Sequence, residues 1–361
     1  MREYYLKELL KIKNGKDHKI LLEGDIPVFG SGGIMRFGNK YLYDKESILL
    51  PRKGSLENIQ FCRVPFWTVD TLYYTEINDK LTEPYYLYCF LKCLNLEMLN
   101  SGTGVPSMTF DAYYNLRIKL PSLTNQKIIS QILRNIESKI ELNRKVNDNL
   151  EQMAKTLYDY WFVQFDFPDK TGKPYKSSGG KMVFSEKLKR KIPEGWVAKS
   201  LEAFIATDKG GDWGKEELEG NYTSKVECIR GTDINGINGK GEVKAPIRYI
   251  LEKNKGKILA ANDLVIEISG GSPIQSTGRL AYITNEVLER FENPLICSNF
   301  CKAVSLKKNN YFFFFVYSWN KAYENGVFFG FEGKTSGIKN LLFDTLVNER
   351  AVCAFFYINP I

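Results

Sequence analysis

Between Pro121 and Trp161 the apolar side chains follow a seven-residue rhythm sustained over five repeats. With Ile129 in position a, the a series is Ile129, Ile136, Asn143, Leu150, Leu157, and the d series is Ile132, Lys139, Val146, Met153, Tyr160. Eight of these ten are apolar, and Ile140 fills in beside Lys139 where the seam breaks. Such a seam predicts a coiled-coil helix, with Ser122 to Thr124 as candidate N-caps. The alternative is a long helix lying on the core of one domain. Asn143 reads either as a register-fixing polar residue or as a solvated break in the seam. Roughly 38 residues at about 1.5 Å each give a rod of about 57 Å.

On either side of the rod, short apolar strands alternate with glycine turns. Residues 1–120 read as mixed α/β, with strands in GDIPVFGSGG (24–33), SILLPRKGS (47–55) and FWTVDTLYY (66–74). PYYLYCFLKCLNLEML (84–99) reads as a helix whose buried face joins Tyr88, Leu91 and Leu99 with Phe90 or Leu94. SGTGVPSMTF (101–110) is a turn, and YYNLRIKLP (113–121) a strand stopped by proline. After the rod, residues 162–196 are punctuated by Pro, Gly and Ser and carry Lys170, Lys173, Lys176, Lys181, Lys187, Lys189, Arg190 and Lys191. They predict a basic, irregular linker.

Residues 197–361 repeat the first half in outline. KSLEAF (199–204) answers LKELL (6–10), and DLVIEISGGS (263–272) answers SILLPRKGS. NFCKAVSL (299–306) answers FWTVDTLYY, and YFFFFVYSWNKA (311–322) answers PYYLYCFLKCLN. KTSGIKNLLFDTL (334–346) answers SGTGVPSMTFDAYYNL, and Asn359-Pro360 answers Leu120-Pro121. The shared order predicts a duplicated domain. The expected fold class is α+β, with two similar mixed α/β domains separated by a long coiled-coil helix. The expected division is a first domain at 1–120, the helix at 121–161, the linker at 162–196 and a second domain at 197–361.

Composition narrows the class. The chain is 43% hydrophobic and 14% aromatic, as a globular protein is, and its net charge of +8 suits a polyanion partner. MREYYLKELLKIKNGKD fits no signal peptide, and the apolar run YFFFFVYSW (311–319) is too short to span a membrane. It reads as a buried strand or short helix. Seven cysteines without framework spacing argue for a reducing, cytoplasmic setting. Cys89/Cys93 and Cys297/Cys301 are expected to be core thiols, because His18 is the chain's only histidine and no metal site suggests itself.

Catalytic patterns fail one by one. GIMRFGNK (33–40) approaches a phosphate-cradling loop, but Asn39 stands where the lysine belongs. GSGGIM (30–35) and GTGVPS (102–107) lack the third glycine of a dinucleotide fingerprint. Asp169 and Glu186 hint at a nuclease carboxylate pair, yet Leu188 occupies the place of the wanted lysine. What remains is a set of cations on glycine-rich loops, candidates for phosphate and base contacts. In the first half these are Lys16, Lys19, Arg36, Lys40, Arg52, Lys53 and Arg63, with Phe37 and Tyr41 between them. In the second half they are Lys209, Lys215, Lys225, Arg230, Lys244, Arg248 and Arg279, with Trp213 and Lys240.

The order of domain, proline, coiled-coil helix, LYDYWFVQFDFP and IPEGW (192–196) resembles the specificity subunit of Type I restriction–modification enzymes. LPSLTNQKIISQIL (120–133) is similar to that family's Leu-Pro-x-Leu-x-x-Gln opening of its first helix. SGTGVPSMTF and TSGIKNLLF look like its glycine turn before the last strand of each recognition domain. The resemblance implies two target recognition domains, each reading half of a bipartite double-stranded DNA sequence, spaced by helices that dock methyltransferase subunits. It implies no cofactor in this chain, S-adenosylmethionine, ATP and magnesium being expected in the methyltransferase and motor/nuclease partners. It also implies a non-catalytic role in defence against foreign DNA.

One departure stands out. The family's second helix has no counterpart before Ile361, so the seam is expected to pair with another chain through Ile129, Ile132, Ile136, Ile140, Val146, Leu150, Met153 and Leu157. A second copy of the protein, a methyltransferase subunit and a separately encoded fragment are the candidates. The alternatives are a truncated or inactive specificity subunit, the specificity half of a fused system, or a coiled-coil adaptor for nucleic acid or protein.

Overall fold

The structure, a computed structural model, describes residues 1–54, 56–96, 106–239, 241–270, 274–335 and 338–354. It divides into two compact units, Met1–Asp148 and Asn149–Ile361.

In chain order the first unit runs β1 (Arg2–Tyr5), α1 (Leu6–Leu9), β2 (Leu10–Asn14), β3 (Ile26–Gly30), β4 (Gly33–Gly38) and β5 (Ser47–Pro51). Then follow β6 (Gln60–Cys62), β7 (Trp67–Thr68), β8 (Leu72–Ile77), α2 (Pro84–Lys92), α3 (Phe110–Tyr114) and β9 (Arg117–Leu120). β1 pairs antiparallel with β9, joining the start of the unit to the strand that precedes the long helix. A four-stranded antiparallel sheet has the order β2-β8-β5-β6, and a three-stranded sheet β4-β3-β7 contains one parallel pair, β3 with β7. β5 is buried at every position, which is why Ile48, Leu49 and Leu50 read as an unbroken apolar run, and the Ser47 hydroxyl beside them donates to Thr75 O at 2.8 Å. The core gathers Leu6, Leu9, Ile48, Leu50, Leu87, Leu91, Tyr113 and Ile118.

Two sequence expectations shift here. Glu83 caps α2 by accepting from the Tyr86 N–H at 2.6 Å, and Pro84 sets the first turn. The buried face is therefore Tyr85, Leu87 and Leu91, Tyr88 is only half-buried, and Leu99 lies outside the described residues. Tyr113 belongs to α3, capped by Thr109, and donates its hydroxyl to Pro51 O at 2.8 Å; the strand begins only at Arg117.

α4 (Leu123–Tyr158) starts behind Ser122, whose Oγ accepts from the Asn125 N–H at 3.4 Å and whose carbonyl accepts from the Gln126 N–H at 3.0 Å. Against the first unit it packs its polar side. Gln126, 1% exposed, accepts from the Thr82 hydroxyl and the Glu83 N–H, each at 3.0 Å, and donates to Pro121 O at 3.0 Å. Ser130 bonds the Glu83 carboxylate. Arg134 pairs with Glu83 at 3.1 Å and Glu46 at 3.3 Å while its guanidinium lies 4.5 Å from the Tyr85 ring centroid. Glu137 accepts from the Tyr85 hydroxyl at 2.8 Å and from Arg63 at 3.3 Å. Residues three and four apart share one helix face, so these four form one docking strip.

The second unit begins on the last turns of α4. Lys155 meets Glu324 at 2.8 Å, and the Tyr158 hydroxyl meets Ser318 at 2.8 Å. The helix then widens into a π turn at Asp159–Val163. The expected irregular linker is instead folded: β10 (Met182–Ser185) and β11 (Arg190–Pro193) form a hairpin. Phe165, Ile192 and Trp196 make a small core there, with Phe162 and Phe167 packed on it. The aromatic side chains provide the burial that the abundance of Lys, Gly and Ser conceals.

The rest runs β12 (Val197–Ser200), β13 (Ile205–Gly210), β14 (Tyr222–Ile229), α5 (Ile234–Ile237), β15 (Ile247–Leu251), β16 (Leu264–Glu267), β17 (Ser269–Gly270) and β18 (Leu280–Tyr282). Then come α6 (Asn285–Leu288), β19 (Leu295–Cys297), β20 (Cys301–Leu306), α7 (Phe312–Glu324), β21 (Glu332–Thr335), β22 (Ile338–Leu341), α8 (Phe343–Glu349) and β23 (Ala351–Ala354). β12 pairs with β23 as β1 pairs with β9. The sheet β13-β20-β16-β18 repeats β2-β8-β5-β6, and β15-β14-β19, with its parallel pair β14 and β19, repeats β4-β3-β7. YFFFFVYSW is helical: Phe312, Phe315, Val316 and Trp319 recur at helical spacing and are buried. The expected mixed α/β duplication is thus present in these three shared sheets, while the β10–β11 hairpin and a three-stranded sheet β17-β22-β21 belong to the second unit.

Gln126 is the buried anchor of α4, and its loss removes the shared acceptor of the Thr82 hydroxyl and the Glu83 N–H and the donor to Pro121 O. Gln126→Ala is expected to destabilise the first unit by about 2–3 kcal/mol, read as a lower urea midpoint, whereas Gln131→Ala on the exposed side leaves it unchanged.

Candidate nucleic-acid interface

The repeated strand order brings the same loops together at one end of each unit. In the first unit these are the β3–β4 turn, the segment after β5, the start of β6 and the β7–β8 turn. Gly33, at φ 123°, lets β3 reverse into β4 within two residues. Asn58 donates its amide to Ser31 O at 2.6 Å, and Gln60 donates to Gly30 O at 2.9 Å. Arg52 donates to Asp70 O at 3.2 Å, and its guanidinium sits 5.9 Å from the Tyr73 ring. A cleft of about 380 Å³ opens beside them, lined by Asn14, Arg52, Lys53, Tyr73, Ser107 and Thr109 among others.

In the second unit the corresponding loops form a larger cleft of about 740 Å³. Arg230 and Thr232 follow β14, Glu267 ends β16, Arg279 leads into β18, and Asn299 and Phe300 lie between β19 and β20. Gln275, Asn299 and Phe300 are exposed there, Phe300 by 55%. Amide, guanidinium and aromatic groups on one concave wall are the chemistry that reads base edges and packs against bases.

Of the cations singled out in the sequence, Arg52 and Lys53 meet at the first cleft, and Arg230 and Arg279 at the second. Lys244 is joined to the second through its carbonyl, which accepts from Arg230 at 2.7 Å. Lys16, Lys19 and Lys40 are exposed on loops, and Arg36 donates to Leu21 O at 3.0 Å. Lys209 is half-buried on β13, Lys225 is exposed on β14, and Lys215 approaches Glu219 at 3.6 Å. Two candidates are engaged elsewhere, Arg63 at the exposed surface and Arg248 in a buried position. Arg63 holds Glu137 on α4, and Arg248, 7% exposed, lies 4.1 Å from the Trp213 ring and pairs with Glu216 at 2.8 Å. The uncharged lining residues Asn14, Ser107, Thr232, Gln275 and Asn299 carry no charge that marks them in the sequence. Their signal is position: Thr232, Gln275 and Asn299 lie on loops between strands, Asn14 ends β2 and Ser107 precedes α3.

Asp233 organises the second cleft. It is 1% exposed, and burial alone raises a carboxyl pKa. Hydrogen bonds from the Arg230 side chain at 2.9 and 3.2 Å and from the N–H groups of Lys244 and Arg230 outweigh burial and hold it below the usual range. Burial raises the Cys228 and Cys297 thiols to about 12, so both are inert core groups. Among the described residues, no group of three His, Cys, Asp or Glu is placed to hold a metal ion, and no helix is long and apolar enough to cross a membrane.

A second surface is set apart from the clefts. Ile129, Ile132, Ile136, Ile140, Val146, Leu150, Met153 and Leu157 are all exposed, from 38% at Ile129 to 67% at Met153. They form an exposed apolar stripe on α4 that borders the docking strip at Ile129 and Ile140.

Residues 1–152 match the family model of the Type I restriction modification DNA specificity domain. The specificity subunit of the Type I restriction enzyme MjaIX from Methanocaldococcus jannaschii is 24% identical over 180 residues, 49% of this chain and 40% of that one. The HindI specificity subunit from Haemophilus influenzae is 42% identical over 66 residues, 18% of this chain and 14% of that one. The chain therefore covers well under half the length of these relatives. The crystal structure of the S subunit of a Type I restriction–modification system from M. genitalium shares the fold, with a TM-score of 0.57 over 98% of this chain and 84% of that one at 16% identity. The resemblance expected from the sequence is thereby shown, and the relatives named are specificity subunits.

Asp233 has a folded-state pKa below its unfolded value near 4. Its contribution is therefore complete above about pH 4 and disappears as pH falls through the lower folded-state value. Asp233→Asn is expected to lower stability at pH 7 and to flatten the loss on acidification, measured as urea midpoints between pH 2 and 7.

Proposed function

We propose that this chain, with a Type I specificity domain in residues 1–152, reads a bipartite double-stranded DNA target, one half per unit, for a Type I restriction–modification assembly. The observation that carries the reading is the shared strand order of the two units, with a cleft of basic, amide and aromatic groups at the same end of each. Two like scaffolds with unlike loops suit two half-sites of different sequence. In this reading the chain is not catalytic. Methyl transfer from S-adenosylmethionine and ATP-driven, magnesium-dependent cleavage belong to methyltransferase and motor/nuclease chains in the cytoplasm.

The apolar stripe of α4 is the proposed docking surface for a helical partner. Seven exposed apolar residues at a and d positions, with Ile140 beside them, are suited to knobs-into-holes packing.

Two experiments test this. Methylation mapped across a genome is expected to lose one interrupted motif when the gene is deleted; a methylome that stays the same rejects DNA reading. Val146→Glu with Leu150→Glu is expected to leave the unfolding midpoint unchanged and to abolish co-sedimentation with the methyltransferase or with a second copy. A doubly substituted chain that still co-sediments with its partner rejects the docking surface.

A further inference from the structure

Inside the second cleft, Glu267 ends β16 and Arg279 immediately precedes its antiparallel partner β18, and the Glu267 N–H donates to Arg279 O at 2.9 Å. Their side chains meet side-on. Nε of Arg279 donates to one Glu267 oxygen at 2.9 Å and Nη2 to the other at 2.6 Å. A guanidinium carries five N–H groups. Two are used here, and among the described residues no other hydrogen bond takes the remaining three.

What remains is the end-on edge, Nη1 with the second hydrogen of Nη2. That fork matches O6 and N7 of guanine in the major groove. The two side chains are 18% and 7% exposed, so the fork is held on a nearly immobile head and has little freedom to lose on binding. Gly231 borders the pair: a Cβ there would lie 2.8 Å from Glu267 Oε1 and 3.7 Å from Arg279 Nη2. Glycine keeps the approach clear. Both Glu267 oxygens are occupied, and Asp233 is occupied by Arg230 and the Lys244 N–H, so these carboxylates are not free to repel a base edge.

We propose that Arg279 reads a guanine in the half of the target taken by the second unit, with Glu267 as its positioning residue. The inference rests on the DNA-reading function proposed above. An ion pair that merely braced the fold would make the same two contacts but would not distinguish one base pair from another.

The test is the methylated motif written by the complete assembly containing the full chain, in wild-type, R279K and E267Q forms. Lysine keeps the charge and loses the fork. R279K is expected to lower the preference for a single G·C pair in one half of the motif by roughly tenfold to a hundredfold. The other half stays as it was. E267Q keeps the guanidinium, loosens its hold, and relaxes the same position by a smaller factor. The assignment is overturned if neither variant changes preference at a single position, whether because the motif is unchanged or because both halves are lost together. Methylation that persists without the chain would reject the DNA-reading function itself, a separate result.

Discussion

The Glu83 carboxylate is the contact on which the arrangement of the first unit depends. It caps α2, bonds Ser130 and pairs with Arg134, while its own N–H is held by Gln126. One residue thus ties a helix of the domain to the long helix at three successive turns. A largely buried ion pair adds little net stability over apolar packing, but it defines geometry sharply, because a misplaced helix would leave the charges unpaired. The consequence is an inversion of the usual amphipathic rule. α4 docks on its domain by its polar strip and keeps its apolar stripe outward.

That inversion explains what was legible in the sequence. The heptad stripe was readable because apolar residues at a and d recur whatever covers them. The docking side was not, because Gln126, Ser130 and Arg134 look like ordinary surface residues until Thr82, Glu83 and Tyr85 are placed beside them. The duplication was legible from the order of short phrases, and the strands confirm it. The segment after α4 was misread because lysine, glycine and serine dominate its composition, while its fold depends on a few aromatic residues, Phe165 and Trp196 among them.

The clefts were legible only in part, for a related reason. A lysine or arginine in a sequence carries the same charge whether it faces solvent, an aromatic ring or a carboxylate. Arg248 is buried against Trp213, and Arg63 is committed to Glu137, yet nothing in their neighbours along the chain separates them from Arg52. The amide and hydroxyl side chains of Gln275, Asn299 and Thr232 carry no such charge signal. Only the topology, by bringing the loops after β14, β16 and β19 to one wall, gives them a common role.

The two clefts share a scaffold but not a chemistry. In the first, Arg52 reaches a backbone carbonyl and Lys53 is exposed; in the second, both arginines are held by carboxylates. A mobile cation suits the phosphate backbone, where position matters less than charge, whereas a clamped guanidinium has the fixed direction that base-edge contacts require. The sheet order can therefore be conserved between the halves while what each half recognises differs. Because the loops follow strand ends, their residues can change without touching the buried β5 or β16 on which each unit is built.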